Sequence, residues 1–226
     1  GLVVVGGWAP QRGQAAARPP WALVVLAVGL LALALLLRGF NTTHIPVTFT
    51  GDEGSSAINA EGFASGRIDN LFGVGWHGFP SLYYSLQSLP ILLFGRDAAA
   101  ARLSSVVAGA LTVVAVYFMG RSLFGHKAGL AAGLFLAGFN FHLHFSRIGL
   151  NNAWDGLAYV LVFGSVWHGW KTERRASFML AGLALGLSQY FYPSTRMLFV
   201  VVPGWLLVVG LLNRQRLARL LPDLAL

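Results

Sequence analysis

The sequence contains no cysteine and few charged residues, and these two absences exclude large classes of protein. Without cysteine, the chain forms no disulfide and offers no thiolate to a metal or a substrate. Only 11% of its residues are charged, against about 25% in a typical soluble protein. Hydrophobic residues make up 56% of the chain, and the mean hydropathy is +0.65. This composition indicates a chain whose main solvent is lipid rather than water.

The positive charge of the chain follows the pattern of a membrane protein. The formal net charge is +8, but the basic residues stand in short clusters between apolar runs, as membrane topology requires. A nucleic-acid-binding surface would need a basic stripe with interleaved aromatic residues, and the sequence has none. We therefore expect membrane lipids as partners and no nucleic acid.

Apolar segments long enough to cross a bilayer recur along the chain. A membrane helix needs about 20 mainly apolar residues. Six segments approach this length: 20–37, 102–120, 128–146, 156–170, 177–193 and 196–212. Segment 80–94 is shorter and carries Pro80, Pro90 and several polar residues, so it predicts an interfacial helix rather than a span.

The distribution of Lys and Arg supports this topology. If segment 80–94 does not span, the later basic clusters all fall on the cytoplasmic side, as the positive-inside rule requires. We therefore predict a multi-pass protein of the plasma (inner) membrane. Its parts are a cytoplasmic tail at 1–19, a transmembrane module at 20–212 with a first outer loop at 38–101, and a cytoplasmic basic segment at 213–226 that we expect to be truncated.

The first outer loop carries an acidic pair that is a candidate for catalysis. Asp52 and Glu53 follow Thr50-Gly51, and a short helix is predicted from Ser55 to Ser65. Acidic residues in a first helical turn interact favourably with the helix dipole, so capping explains them in part. A partly desolvated carboxylate at the edge of a bilayer can also act as a general base towards a hydroxyl.

Other candidate residues lie at the outer ends of the predicted spans. Asp155 precedes the fourth span, where it suits either an N-cap or a functional role. Arg102, Arg147 and Arg196 stand on the outer side, against the topological bias. They either extend to lipid phosphates or converge on one bound phosphate. His77 is a candidate by its position in the first outer loop.

A series of short motifs gives the chain a family resemblance. In order, they are Gly51-Asp-Glu-Gly54, Trp76-His-Gly-Phe-Pro-Ser-Leu-Tyr-Tyr84, Leu93-Phe-Gly95, Ala101-Arg102-Leu103, Arg121-Ser-Leu-Phe-Gly125, and Phe145-Ser-Arg147 followed by Asp155. Their order and spacing resemble the GT-C membrane glycosyltransferases over about residues 20–212. The branch they resemble comprises the protein mannosyltransferases and aminoarabinose transferases (glycosyltransferase family 39 and its bacterial relatives).

This resemblance implies both a fold and an activity. The fold is an all-α integral membrane bundle of GT-C type, with about six transmembrane helices and interfacial helices in the long first outer loop. The activity is transfer of a hexosyl or pentosyl sugar from a polyprenyl-phosphate carrier to an acceptor protein, lipid or glycan on the extracytoplasmic face. We expect no required cofactor, because the sequence has no clear acidic metal motif.

The resemblance also assigns roles to residues. Asp52 matches the catalytic acid of the first loop, with Glu53 beside it, and Asp155 matches a second acidic position. The three outer arginines fall where family members keep basic residues near the lipid phosphate. In the aminoarabinose branch, a lysine precedes the proline of the interfacial helix. Here Phe79 stands in that position, which leaves the phosphate contact missing or transfers it to His77.

Two other functions are compatible with the sequence. A transporter or lipid-binding membrane protein is one, although the predicted spans carry few charges in their interiors. A metal-dependent oligosaccharyltransferase-like enzyme is the other. Asp52 and Glu53 form an adjacent pair rather than an Asp-x-Asp metal motif. This pair alone therefore does not predict a metal site. A divalent metal held jointly by Asp52 and Asp155 is the form in which this alternative stays open.

Overall fold

The structure, a computed structural model, describes residues 20–224 as an assembly of helices. The predicted tail at 1–19 lies outside the described residues. Within them no β-strand forms, and only an isolated bridge joins Val74 to Pro80. The helices are α1 (Pro20–Gly39), α2 (Gly51–Ala64), α3 (Leu82–Phe94), α4 (Ala98–Phe124), α5 (His126–Gly138), α6 (Asn140–Phe145), α7 (Asp155–Thr172), α8 (Arg175–Ser188), α9 (Leu198–Leu212) and α10 (Arg214–Leu224). The predicted all-α class is confirmed.

Three helical segments of the described chain are long and apolar enough to cross a membrane. They are Trp21–Gly39, Ala98–Phe124 and Pro193–Leu212. The other three predicted spans correspond to α5 with α6, to α7 and to α8. These helices are interrupted, less apolar or short: α8, with 14 residues, extends about 21 Å against a hydrocarbon core of about 30 Å. Spanning by these three stays a prediction.

Helix α3 has the dimensions of the interfacial helix that the sequence predicts. Its 13 residues extend about 20 Å, which is too short to cross a bilayer. Tyr83, Tyr84 and Gln87 are buried against α2 and α4, while Leu93 and Phe94 are largely exposed. The helix therefore packs on the bundle by one face and presents apolar side chains on another.

Helix α2 begins four residues earlier than the sequence analysis predicts. Thr50 is its N-cap: the Thr50 hydroxyl accepts from the backbone N–H of Glu53, and the Glu53 carboxylate accepts from the backbone N–H of Thr50. This reciprocal pair is a capping box. The helix ends before Ser65, and Gly66 follows with φ +72°, a left-handed conformation that glycine adopts without strain. The end of the helix thus agrees with the predicted end at Ser65 within one residue.

Helix α4 is the central helix of the bundle and packs against α1, α3, α5 and α7. Small residues on its buried face, including Ala108, Gly109 and Ala110, let neighbouring helices approach closely. Helix α5 approaches α4 closely, since the α carbon of Gly129 lies 3.0 Å from the position that a Cβ on Gly120 would take. The backbones of the two helices therefore lie in direct contact at these glycines.

A buried arginine stabilises the break between α5 and α6. Phe139, with φ −66° and ψ 112°, interrupts the helical backbone and leaves the last carbonyls of α5 without helical partners. The Arg38 guanidinium, which is fully buried, donates to the carbonyl oxygens of Leu136 (3.2 Å) and Ala137 (3.3 Å) and contacts His142 Nδ1 at 2.9 Å. Arg38 thus ties the end of α1 to the broken helix.

Candidate active site

A buried ion pair between Arg102 and Glu53 binds the loops at one end of the bundle. The topology prediction places this end on the extracytoplasmic side. Each side chain is 1% exposed. Arg102 Nε donates to Glu53 Oε1 at 2.8 Å, and Arg102 Nη2 donates to Glu53 Oε2 at 3.1 Å. The remaining guanidinium N–H groups donate to the carbonyl oxygens of Thr42, Pro46 and Thr48. Every donor of Arg102 therefore has an acceptor within the chain.

The Glu53 carboxylate joins three parts of the chain. Besides Arg102 on α4, it accepts from the backbone N–H of Thr50 at 3.2 Å and from that of Gly149 at 2.9 Å. Gly149 lies in the second outer loop (146–154, between α6 and α7), where a Cβ would lie 2.9 Å from the Ala101 carbonyl oxygen. Glu53 and Arg102 thus fix the first outer loop and the second on α4, and neither has a free group to offer a ligand.

Asp52, the neighbour of Glu53, is exposed and lines a cleft. We call this the outer cleft, and its volume is about 310 Å³. Its lining residues are Asp52, Trp76, His77, Phe79, Leu150, Asn151, Asn152 and Tyr192. They come from the first outer loop, the second, and the third (189–197, between α8 and α9). Successive residues of a helix point about 100° apart, so Glu53 faces the interior while Asp52 faces the cleft. Asp52 is the single carboxylate among the residues that line it.

His77 and aromatic side chains form one wall of the outer cleft. His77 is exposed and has a left-handed backbone conformation (φ 53°) in the turn Trp76–Gly78. Its ring lies 4.5 Å from that of Trp76, and the Phe79 ring lies 5.4 Å from that of Tyr192. The last contact connects the first outer loop to the third. A rigid aromatic wall beside a carboxylate suits the binding of a ligand with both apolar and hydroxyl-bearing faces.

Asp155 is not one of the residues that line the outer cleft. Asp155 Oδ2 accepts a short hydrogen bond from the Ser194 hydroxyl, which ties the start of α7 to the third outer loop. Asp155 Oδ1 is buried and has no partner among the described residues. Burial raises the pKa of Asp155 to about 6, and the Ser194 hydrogen bond opposes this rise. The side chain precedes the apolar segment 156–170.

The three outer arginines, Arg102, Arg147 and Arg196, do not together offer free donors to one bound phosphate. Arg147 donates to the carbonyl oxygens of Leu37, Phe40 and Ile45, so it holds the start of the first outer loop. Burial, and then the charge of Arg102, lower its pKa. Arg196 differs, because it is exposed and makes no hydrogen bond or ion pair with the described residues. Arg147 Nε also lacks a partner but is buried, so of the three arginines Arg196 alone has exposed, unpaired donors for a ligand.

Several residues of the site were not found by sequence reasoning. Gln87 is fully buried, donates to the carbonyl oxygens of Ala101 (2.8 Å) and Gly149 (3.1 Å), and accepts from Ser56 (2.7 Å). Asn151, Asn152 and Tyr192 also went unassigned, although Asn151-Asn152 stands close to Asp155. The pattern Thr50-x-x-Glu53 is a capping-box signature, and it could have separated Glu53 from Asp52 before the structure.

The described residues contain no group of three or more His, Asp or Glu side chains placed to hold a metal ion. Within that part of the chain, Asp52 and Asp155 belong to different surroundings, the first in the outer cleft and the second against Ser194. A metal shared between them stays an untested alternative.

Comparison with known proteins places this helical fold and its outer cleft in a family of GT-C membrane glycosyltransferases. Residues 80–226 match the model of the family described as dolichyl-phosphate-mannose-protein mannosyltransferase. This match covers more than half of the chain, and the protein belongs to that family. Asp52 and Glu53 precede the matched range. No curated protein matches the sequence significantly.

A solved structure shares the fold. The chain is similar to the crystal structure of ArnT from Cupriavidus metallidurans bound to undecaprenyl phosphate, with a TM-score of 0.59 and 19% sequence identity. The similarity covers 90% of this chain and 39% of ArnT. The protein thus spans less than half the length of that structure. The predicted resemblance to the mannosyltransferase and aminoarabinose-transferase branch is confirmed.

Proposed function

We propose that the outer cleft transfers a hexosyl or pentosyl sugar from a polyprenyl-phosphate carrier to an acceptor, with Asp52 as the general base. The observation that carries this proposal is the position of Asp52. It is exposed in the cleft, whereas Glu53 beside it is buried against Arg102. Family membership supports a sugar-transfer reaction, and ArnT, which shares the fold, was crystallised with undecaprenyl phosphate. Transfer on the extracytoplasmic face is part of the proposal.

The proposed reaction is a single displacement. Asp52 accepts the proton of an acceptor hydroxyl or amine as that atom attacks the anomeric carbon. The bond between the anomeric carbon and the phosphate oxygen breaks, and polyprenyl phosphate leaves with the electron pair. One displacement inverts the anomeric centre. A double displacement would need a carboxylate nucleophile in addition to the base, and Asp52 is the single carboxylate among the cleft-lining residues.

The leaving phosphate needs charge stabilisation more than it needs protonation. His77 lines the cleft, and Arg196 stands in the third outer loop that also supplies Tyr192. We assign these two residues as the phosphate-binding groups. Arg102 and Arg147 act indirectly, since their N–H groups hold the backbone of the first outer loop. Asp155 positions the third outer loop through Ser194.

The carrier lipid needs an apolar path next to the cleft. A groove of about 270 Å³ runs between α3 and α4, lined by apolar residues that include Leu89, Leu103 and Val107. Trp154 also lines this groove, and its ring stacks on Phe191 at 4.8 Å, directly before the cleft residue Tyr192. The groove and the outer cleft are therefore neighbours, and we propose that the polyprenyl chain lies along the groove.

Release of labelled sugar from a panel of polyprenyl-phosphate donors tests this function. The purified chain is compared with Asp52→Asn and with Asp69→Asn, an exposed carboxylate of the same loop that does not line the cleft. Loss of a general base typically lowers the rate by about 10²- to 10⁴-fold. We expect this loss in Asp52→Asn and near wild-type turnover in Asp69→Asn.

Two outcomes would count against the proposal. Equal turnover by wild type and a folded Asp52→Asn variant would remove Asp52 from the chemistry. Donor binding without sugar release would favour the lipid-binding or transport alternative. The metal-dependent alternative predicts that EDTA abolishes turnover and that a divalent cation restores it, whereas the proposed mechanism predicts no effect of EDTA.

A further inference from the structure

A groove distinct from the outer cleft lies at the opposite, basic end of the bundle. We call it the inner groove; it is lined by residues 162, 166, 175, 178, 179, 181–183, 185, 202 and 206 of α7, α8 and α9. Its volume is about 490 Å³. Its walls are apolar, with Val166, Phe178 and Leu206 among them, and Arg175 is the single charged residue of the lining. This arrangement fits an amphiphile with an apolar chain and an anionic end.

The length of the inner groove matches one leaflet of a bilayer. Along α8 it runs from Arg175, the first residue of the helix, to Leu185. This stretch rises about 15 Å at 1.5 Å per residue. The hydrocarbon core of a bilayer is about 30 Å thick, so a groove of this length along the bilayer normal would extend over one leaflet. It therefore has the length of one acyl chain of the leaflet at the basic end.

The charge at the mouth of the groove favours an anionic head group. Glu173 forms ion pairs with Arg216 and Arg219, each at 3.5 Å. Its negative charge therefore offsets part of the positive charge of these two arginines. Arg174 and Arg175 are exposed and have no acceptor in the described part of the chain. The positive-inside rule assigns this end to the cytoplasmic leaflet, where anionic lipids attract basic residues.

We propose that the inner groove binds one acyl chain of an anionic glycerophospholipid whose phosphate is held by Arg175, with Arg174 beside it. Apolar contacts along the groove provide affinity for the chain, and the guanidinium groups select the charge of the head group. This lipid site lies at the other end of α7 from Asp155. It does not depend on the proposed sugar transfer.

Native mass spectrometry of the whole chain tests the proposal. The protein is released from micelles that contain phosphatidylglycerol or phosphatidylcholine with identical acyl chains. We expect one retained lipid, with phosphatidylglycerol preferred at least about fivefold, since one basic residue near a head group contributes about that factor. Arg175→Gln should abolish the preference, whereas Lys127→Gln, an exposed basic residue outside the groove, should keep it.

A second pair of variants tests the acyl-chain position. A Cβ on Gly182 would meet no heavy atom within 4 Å, so a leucine there extends into the inner groove. Gly182→Leu should release both lipids. Gly186→Leu, one turn further along α8 and equally open, should retain them. Three results would each overturn the proposal. They are equal retention of the two lipids by wild type, unchanged lipid retention by Gly182→Leu, and a wild-type dimer that Gly182→Leu dissociates.

Discussion

At the scale of single residues, the adjacent carboxylates Asp52 and Glu53 have different surroundings because they lie one step apart on a helix. Glu53 completes the capping box of α2 and pairs with Arg102, so its charge is compensated in the interior. Asp52 stands in the first turn of the same helix and faces the outer cleft. The buried pair positions the backbone that presents Asp52, so the two residues act together through structure.

The Glu53–Arg102 pair predicts a large loss of stability when one partner is removed. Arg102→Met leaves the Glu53 carboxylate buried without its main partner, which typically costs about 3–5 kcal/mol. Arg96→Met is the matched control. Arg96 contacts Glu61 at the same distance of 2.8 Å but is largely exposed, and such pairs contribute about 0–1 kcal/mol. Thermal unfolding in detergent should show a clear drop in Tm for Arg102→Met alone. Equal Tm values for the two variants would contradict a structural role.

The raised pKa of Asp155 predicts a dependence of stability on pH. Burial raises this pKa from 3.8 to about 6, so the folded state holds the proton more tightly than the unfolded state. The stabilising contribution of protonated Asp155 is fully present below about pH 4 and is lost as the pH rises to about 6. Asp155→Asn cannot ionise and can still accept a hydrogen bond from Ser194.

Thermal unfolding between pH 4 and pH 8 checks this expectation. The Tm of Asp155→Asn should rise relative to wild type as the pH goes from about 4 to about 6, and the difference should then stay constant. A difference that does not change with pH would show that Asp155 has an ordinary pKa in the folded protein.

The sequence was informative about individual acidic positions and less so about their neighbours. Asp52 was selected as a candidate because acidic residues are rare in this chain and because it stands in a motif that resembles the family. The cleft partners Asn152 and Tyr192 come from two other loops, and the contacts between loops do not follow from local sequence. Arg102 was assigned to a phosphate because its charge opposes the topological bias. The sequence could not show that nearby backbone carbonyls use its donors.

At the scale of elements, the contact between α4 and α5 depends on glycine. A Cβ on Gly129 would lie 2.5 Å from the backbone nitrogen of Arg121 and 2.6 Å from the carbonyl oxygen of Tyr117. Backbone atoms cannot move aside as a flexible side chain does, so the two helices must separate. Gly129→Ala should therefore destabilise the protein by about 1–3 kcal/mol.

Gly164→Ala is the control for this prediction, because its Cβ would meet no heavy atom within 4 Å. Replacing a glycine by alanine inside a helix is otherwise favourable by about 0.5–1 kcal/mol. Chemical or thermal unfolding should place Gly129→Ala below wild type and Gly164→Ala at or above it. Similar stability of the two variants would mean that α4 and α5 do not pack at this distance.

Helix identity was more predictable than helix length. Apolar runs indicated each of the larger helices, since hydropathy is a property of composition. The break at Phe139 was not predicted, and it divides the third predicted span into α5 and α6. A break in an apolar environment needs substitutes for the lost hydrogen bonds. Arg38 supplies them from a helix about 100 residues earlier in sequence, so no local pattern reveals them.

At the scale of the whole molecule, the account predicts that the two ends of the bundle face opposite sides of the membrane. The absence of cysteine makes this testable, because an introduced cysteine has no competing thiol. In sealed right-side-out vesicles, a membrane-impermeant maleimide should label Asp69→Cys in the first outer loop. It should not label Lys127→Cys in the first turn of α5 until the vesicles are permeabilised. Labelling of Lys127→Cys in sealed vesicles would reverse or refute the topology.

The most direct test of the central claim separates donor binding from sugar transfer in Asp52→Asn. A single-turnover measurement with a pre-bound polyprenyl-phosphate sugar, followed by addition of acceptor, reports the two steps independently. If Asp52 is the general base of the outer cleft, the variant binds the donor within a few fold of wild type and transfers the sugar at least about 100-fold more slowly. If Asp52→Asn transfers the sugar at the wild-type rate from a bound donor, the outer cleft does not work as described.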